Sequence, residues 1–320
     1  MPRAVLSLLL AVAALYATSC AHMPEPIDTT AAVIDGSPLH GRYNHSVVWT
    51  GSEMIVWGGQ ADTTVKDGAA YDPGTDTWRT IAEAPVSAGS ADTFMSGKRM
   101  VSVSEELVLV YDPRSDEWAR VEPGFDVVDG APFSSGRAAL VGTDGDGVRV
   151  ALVDARDGTA ERLSARGIDP SSRTNLALAT RGTDDLWLLA ASTDTGNAAE
   201  NATTDLYRWD EGEWLRERTD TSGYLVPASG TGVHDSGPAF ARWEAGRLLS
   251  LNNASLGIHA ADGRSAAPLH VGSEGGPCLS SRYTVLAGDE LLTWSGPTCT
   301  ADTTVTHPPT GLRVPTTGAE

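Results

Sequence analysis

Positive charge is scarce in this sequence. Its 320 residues carry 23 Lys and Arg against 42 Asp and Glu, a formal net charge of −19, and Lys66 and Lys98 are its only lysines. The acidic residues are scattered and form no block, a balance that opposes binding to nucleic acid or to anionic lipid surfaces. Motifs of fixed catalytic spacing are missing as well. There is no His-Glu-x-x-His, no Cys-x-x-Cys pair, no phosphate-cradling glycine loop and no Gly-x-Ser-x-Gly elbow. Metalloprotease, P-loop and α/β-hydrolase chemistry therefore lack support, and nothing calls for a metal or other cofactor. Long apolar runs are absent too: the longest, Ala4 to Ala17 with only Ser7 interrupting, falls short of the roughly 18 residues of a spanning helix.

That run follows Met1-Pro2-Arg3 and leads to Ala17-Thr18-Ser19-Cys20, the layout of an export signal with small residues before the cleavage point. It resembles the lipobox of bacterial lipoproteins, with Ala17 where leucine is usual. The resemblance implies that residues 1–19 are removed and that Cys20 is diacylated, the alternative being ordinary cleavage near Ala21. Two acyl chains give stable anchoring where one is marginal. Residues 20–40, with Pro24, Pro26 and Pro38, then read as a tether. Residues 41–320 show no dividing linker and are enough for one large core.

Of the three cysteines, Cys278 and Cys299 remain in the exported part. Their midpoint falls between Gly288 and Asp289, a two-residue turn joining Tyr283–Ala287 to Glu290–Trp294. They would face each other across one hairpin at a separation a disulfide accepts, a staple worth about 3 kcal/mol.

The repeat is the strongest signal. Tyr71-Asp72-Pro73-Gly74-Thr75-Asp76-Thr77-Trp78 and Tyr111-Asp112-Pro113-Arg114-Ser115-Asp116-Glu117-Trp118 match closely, and Tyr207 stands the same distance before Trp214. Weaker copies fall at Val153-Asp154-Ala155, Ile258-His259-Ala260 and Thr306-His307-Pro308. Spacings of about 40 to 54 residues with short strands between turns describe the blades of an all-β propeller. About six four-stranded blades are expected, with a seventh if Thr29 to Leu39 supplies strands. Met54-Ile55-Val56-Trp57-Gly58-Gly59 with Tyr71 and Trp78 resembles the kelch repeat, whose units carry a double glycine after an apolar strand and then a spaced Tyr and Trp. Blade two lacks the glycine pair, and blades three and five lack both aromatics.

By register His259 and His307 fill the turn slot of Asp72 and Asp112 and read as turn residues, not metal ligands. Thr143-Asp144-Gly145-Asp146-Gly147 reads as a solvated turn. His234-Asp235-Ser236 cannot converge as a triad, because neighbours on a strand point to opposite faces. The starts of the innermost strands matter more, since they line the central channel. Arg42 and His45, Arg173, His234 and Asp235, and Arg282 and Tyr283 are the candidate ligand-binding residues. Three converging arginines would cradle a carboxylate or sulfate; the competing reading is that each pairs with a nearby Asp or Glu. The leading expectation is a non-enzymatic, membrane-anchored protein outside the cytoplasm that binds a protein or glycan of the cell envelope through propeller loops such as Ser192 to Thr204. The alternative that the kelch resemblance implies is a carbohydrate-active enzyme, of sugar mutarotase type before galactose oxidase type.

Overall fold

The computed structural model describes residues 27–29, 31–89, 91–104, 107–134, 136–169, 174–181, 184–192, 203–220, 240–244, 247–252, 255–259, 266–271, 283–296 and 306–315. Within them every named element is a strand, and the strands group into six sheets. β1 (Ile27–Thr29) and β2 (Ala32–Ile34) come first. Sheet one is β3 (Ser46–Trp49), β4 (Met54–Trp57), β5 (Gly68–Asp72) and β6 (Thr77–Thr80). Sheet two is β7 (Asp92–Ser96), β8 (Arg99–Ser104), β9 (Leu107–Asp112) and β10 (Glu117–Val121). Sheet three is β11 (Asp126–Phe133), β12 (Arg137–Thr143), β13 (Val148–Asp154) and β14 (Ala160–Leu163). Sheet four is β15 (Thr174–Arg181), β16 (Asp185–Ser192), β17 (Thr203–Asp210) and β18 (Glu213–Asp220). Sheet five is β19 (Phe240–Glu244), β20 (Arg247–Asn252), β21 (Ser255–His259) and β22 (Ala266–Val271), and sheet six holds β23 (Thr284–Ala287), β24 (Glu290–Trp294) and β25 (Gly311–Pro315).

Consecutive strands within each sheet pair antiparallel, as serial hairpins require. The N-terminal strands are the exception. β2 pairs antiparallel with β25 as the fourth strand of sheet six, and β1 adds a parallel fifth strand to β22. The stretch read as a tether thus carries two strands, and β2 completes the sixth sheet rather than starting a seventh.

Alternation along each strand explains how the sheets stack. Met54 and Val56 of β4 point into a core shared with Ile34, Val285, Leu292 and Trp294 of sheet six. Ile55 and Trp57 point the other way, into a core with Met100, Leu109 and Tyr111 of sheet two. Because side chains alternate between faces, a strand covered on both sides must be apolar throughout, and β4 is buried at every position. The pattern repeats onward: Val101, Val103, Val108 and Val110 meet Ala138 and Leu140 of sheet three, whose Ala139 and Val141 meet Leu186 and Leu188 of sheet four. First strands lie side by side in the same order, β23 beside β3, then β7, β11 and β15. The chain is therefore all-β, built from four-stranded antiparallel sheets stacked like blades.

The repeat anchors hold in sheets one and two. Tyr71 pairs directly with Trp78, and Tyr111 with Trp118, with ring centroids 5.2 and 4.8 Å apart. Each tyrosine hydroxyl donates to the turn aspartate, Asp76 or Asp116, at 2.6 Å, and both aspartates take positive φ. Sheet three keeps this geometry without aromatics: Val153 pairs with Ala160, and Asp154 accepts from the backbone two residues on, as Asp72 and Asp112 do.

Three anchors differ from the sequence reading. A two-residue turn at Glu211-Gly212 places Trp214 opposite Trp209, while Tyr207, beside a bulge at Leu206/Tyr207, faces Arg216. In sheet six Leu291 pairs with Val314 as Met54 pairs with Tyr71, so the anchor is Val314 and not Thr306. His307 therefore lies in the connection before β25, not in a tip turn. His259 ends its third strand, but Leu248 pairs with it as Met54 pairs with Tyr71, so His259 holds the anchor position and not the slot of Asp72. Asp144 lies in a turn between β12 and β13 and accepts from Asp146 N–H.

Candidate functional site

In sheet one the chain enters β3 and crosses from β4 to β5 at the same end, the upper face; the tip turns Asp72–Thr77 and Asp112–Glu117 mark the lower face. The approach to β3, Arg42-Tyr43-Asn44-His45, runs over the junction of sheets one and six. Gly58 and Gly59 follow β4 with φ of 67° and 93°. A Cβ on Gly59 would lie 2.7 Å from Tyr43 O and 2.8 Å from the His45 Cβ. Gly59 thus lets the approach segment lie flat against it, while a Cβ on Gly58 would lie 3.0 Å from Ala88 O.

Arg42 is buried, and its guanidinium forks onto Asp67 at 2.7 and 3.0 Å. It also donates from Nε to His40 O and from Nη1 to Gly58 O. Ser295 closes the backbone: its Oγ accepts from Arg42 N and donates to Arg42 O, both at 3.0 Å. A buried guanidinium needs such pairing, since an uncompensated charge here would cost several kcal/mol. The bond from Arg42 holds the Asp67 carboxyl below the usual carboxylate range, against the opposing effect of burial. Of the two readings of Arg42, the structure shows the ion pair.

Its neighbours form a graded run of rings. His45 is buried, stacks on Tyr283 at 4.4 Å and meets the edge of Trp294 at 5.4 Å. Its Nε2 lies 3.0 Å from Trp294 O, and a carbonyl only accepts, so Nε2 carries the proton. Tyr283 accepts from Asn44 N–H at 3.0 Å, with Asn44 at φ 57°. His307 follows, with Nδ1 2.7 Å from Ser295 O and its ring 5.8 Å from Tyr283. By the same reasoning Nδ1 is the protonated nitrogen. Outermost is Tyr43, 5.9 Å from His307 and 43% exposed. Reciprocal backbone bonds with Gln60, at 2.9 and 2.8 Å, fix it. The arrangement offers a rigid aromatic surface beside an imidazole, which suits recognition.

No protein-family model matches this chain, and no curated protein matches it. Its site must be read from its own geometry.

The structure brings Arg42, His45 and Tyr283 together. Arg173, His234, Asp235 and Arg282 lie outside the described residues, as do Cys20, Cys278 and Cys299 and residues 193–202 of the long loop. Tyr43, Asp67, Ser295 and His307 were not singled out as site residues. Tyr43 is not legible from alternation, which would place it on the face of His45; the left-handed Asn44 breaks the period of two, so that Arg42 and His45 are both buried while Tyr43 is exposed. Asp67 and Ser295 are distant in sequence and carry no local signal.

A second group lies on the first strand of sheet three. Asp129, at a bulge in β11, accepts from Leu178 N–H of β15 at 2.7 Å. Burial pushes its carboxyl up to about 7, with the charge of Asp92 adding to the rise. Its sequence signal was a lone carboxylate in the otherwise apolar run Val127 to Ala131. Between sheets two and three an open cleft of about 350 Å³ is lined by Leu107, Phe125, Arg120 and Asp126.

Proposed function

We propose that the chain is an exported lipoprotein, held to the membrane by Cys20, whose sheets close into a six-bladed kelch-like propeller that binds a protein or glycan of the cell envelope. Two pairings support closure: sheet six takes its fourth strand from the N-terminus, and its core is shared with sheet one.

The observation that carries the binding reading is the fixed presentation of Tyr43. A buried arginine paired with Asp67, two left-handed glycines and a left-handed Asn44 hold one segment whose only large exposed side chain is an aromatic ring beside His307. Strained and buried polar features persist where the surrounding structure over-determines them, and they cluster at functional sites. Tyrosine suits such a surface because it offers rigid, amphipathic area at low entropic cost. The test is a glycan array beside a pull-down from envelope extracts, each using the mature chain. A defined ligand supports the reading; no enrichment over a variant lacking the Tyr43 ring counts against it.

A carbohydrate-active enzyme of the kelch type, mutarotase-like, is the second reading. One feature favours it: Asp129 lies on a first strand, where such a propeller has its channel, with burial pushing its carboxyl up to about 7, and a general acid or base works best near the operating pH.

A further inference from the structure

The Tyr43 face carries a hydrogen-bond acceptor beside its ring. His307 gives its Nδ1–H to Ser295 O at 2.7 Å, and Ser295 is itself buried and tied through Oγ to both sides of the Arg42 backbone. The two nitrogens of an imidazole point away from one another. With Nδ1 turned to the interior, Nε2 is therefore turned outward as the unprotonated acceptor. Among the described residues nothing donates to it. The Tyr43 ring lies 5.9 Å from the imidazole, centroid to centroid, with the planes at 39°, so one small ring can touch both.

We infer that this pair takes a neutral, hydroxyl-rich sugar unit, its C–H face laid on Tyr43 and one hydroxyl donated to His307 Nε2. This rests on the reading of the Tyr43 face as the binding surface. The face of an aromatic ring is negative and attracts the weakly positive hydrogens of a pyranose, whose rim of hydroxyls meets the acceptor. The neighbouring oxygens call for donors too. Asp67 is 41% exposed, and its bond from Arg42 holds the carboxyl below the usual carboxylate range. Asp62 is exposed on the same β4–β5 crossing. Acidic sugars bring carboxylates or sulfates, which only accept and are repelled by these groups. The Arg42 guanidinium, a partner for such an anion, is already closed on Asp67.

A protein partner suits the surface less well. Protein interfaces set their aromatic anchors among contacts that exclude water. Here the other large exposed apolar side chains of the described residues, Val33 and Val128, lie apart on β2 and β11. Beyond the pairing of Tyr43 with Gln60 and of Gln60 with Thr64, the crossing presents Asp62, Thr63 and Thr64, all polar and exposed.

The test applies the mature chain to one array of neutral, sialylated and sulfated glycans and to envelope proteins. Calorimetry follows with the methyl glycoside of the best-bound sugar and its monodeoxy derivatives. Neutral glycans should bind, and Tyr43→Ala and His307→Asn should each weaken binding at least about tenfold with the thermal midpoint unchanged. Asparagine still donates to Ser295 O but leaves no acceptor where Nε2 stood. One monodeoxy derivative should bind the parent more weakly than the full sugar, yet bind His307→Asn as well as the full sugar does, which marks the hydroxyl that Nε2 accepts. Binding confined to sialylated or sulfated glycans, or an effect of Tyr43→Ala without one of His307→Asn, overturns this inference and leaves the binding face. So does an envelope protein held by the parent and lost with Tyr43→Ala while no glycan binds. Neutral binding that survives both substitutions, or no ligand of either kind, overturns the inference and the binding face together.

Discussion

The Arg42 guanidinium, with its side chain 1% exposed, closes on both oxygens of Asp67, whose own side chain is 41% exposed. The pair is lopsided: the cation is committed to the interior and the anion reaches water. Removing the anion should therefore hurt more than its exposure suggests. Asp67→Asn leaves a buried guanidinium short of its charge partner, and a loss of roughly 3 kcal/mol is expected in urea denaturation. An equal loss from Glu83→Gln, whose partner Lys66 is half exposed, would mean that burial of Arg42 does not set the cost.

Stability should fall with pH because of Asp129. Its carboxyl is raised from 3.8 to about 7 in the folded chain. Between those values the folded state binds more protons than the unfolded state, so the contribution is full below about pH 4 and lost as pH rises through 7. Asp129→Asn keeps an acceptor for Leu178 N–H but cannot ionise. Its midpoint temperature should exceed that of the parent at pH 8.5, with a gain of about 2–4 kcal/mol, and match it near pH 4. A gain of the same size at both pH values would contradict this.

The hydroxyl of a repeat-marking tyrosine and the ring of a core tryptophan should differ in weight. Tyr111→Phe loses one hydroxyl bond to Asp116 at an exposed turn, about 1 kcal/mol. Trp57→Ala empties a fully buried position between sheets one and two and should cost about 3–5 kcal/mol. Comparable losses in thermal unfolding would remove the distinction between repeat marker and core.

Much of the fold was legible because it rests on local rules. The strands of sheet one, the Asp-Pro turns and the Gly288-Asp289 hairpin all follow from alternation and turn chemistry within a few residues. Sheet six escaped the repeat because its fourth strand is supplied from the far end of the sequence, so no Trp follows Val314 and the register slid to Thr306. The spacing of Tyr207 and Trp214 misled for another reason: β17 runs on to Asp210 before a turn two residues shorter than that of sheet one, so the residue count is kept while the pairing changes. At the site, Arg42 and His45 were found by position, but their partners Asp67, Trp294 and Ser295 meet them only through tertiary packing.

Closure makes its own prediction. Deleting residues 21–34 removes β2 and the fully buried Ile34 from the core shared by sheets one and six. A loss of at least 3 kcal/mol is expected in a chain exported by a cleavable signal. An unchanged unfolding midpoint would show that the strand is dispensable.

The most direct measurement compares the parent with Tyr43→Ala on the ligand found by array or pull-down, by calorimetry beside thermal unfolding. The Tyr43 ring is exposed, so its removal should leave the midpoint within about 0.5 kcal/mol while weakening binding at least tenfold. Unchanged affinity in the folded variant would contradict the placement of the binding surface on the Tyr43–His307 face.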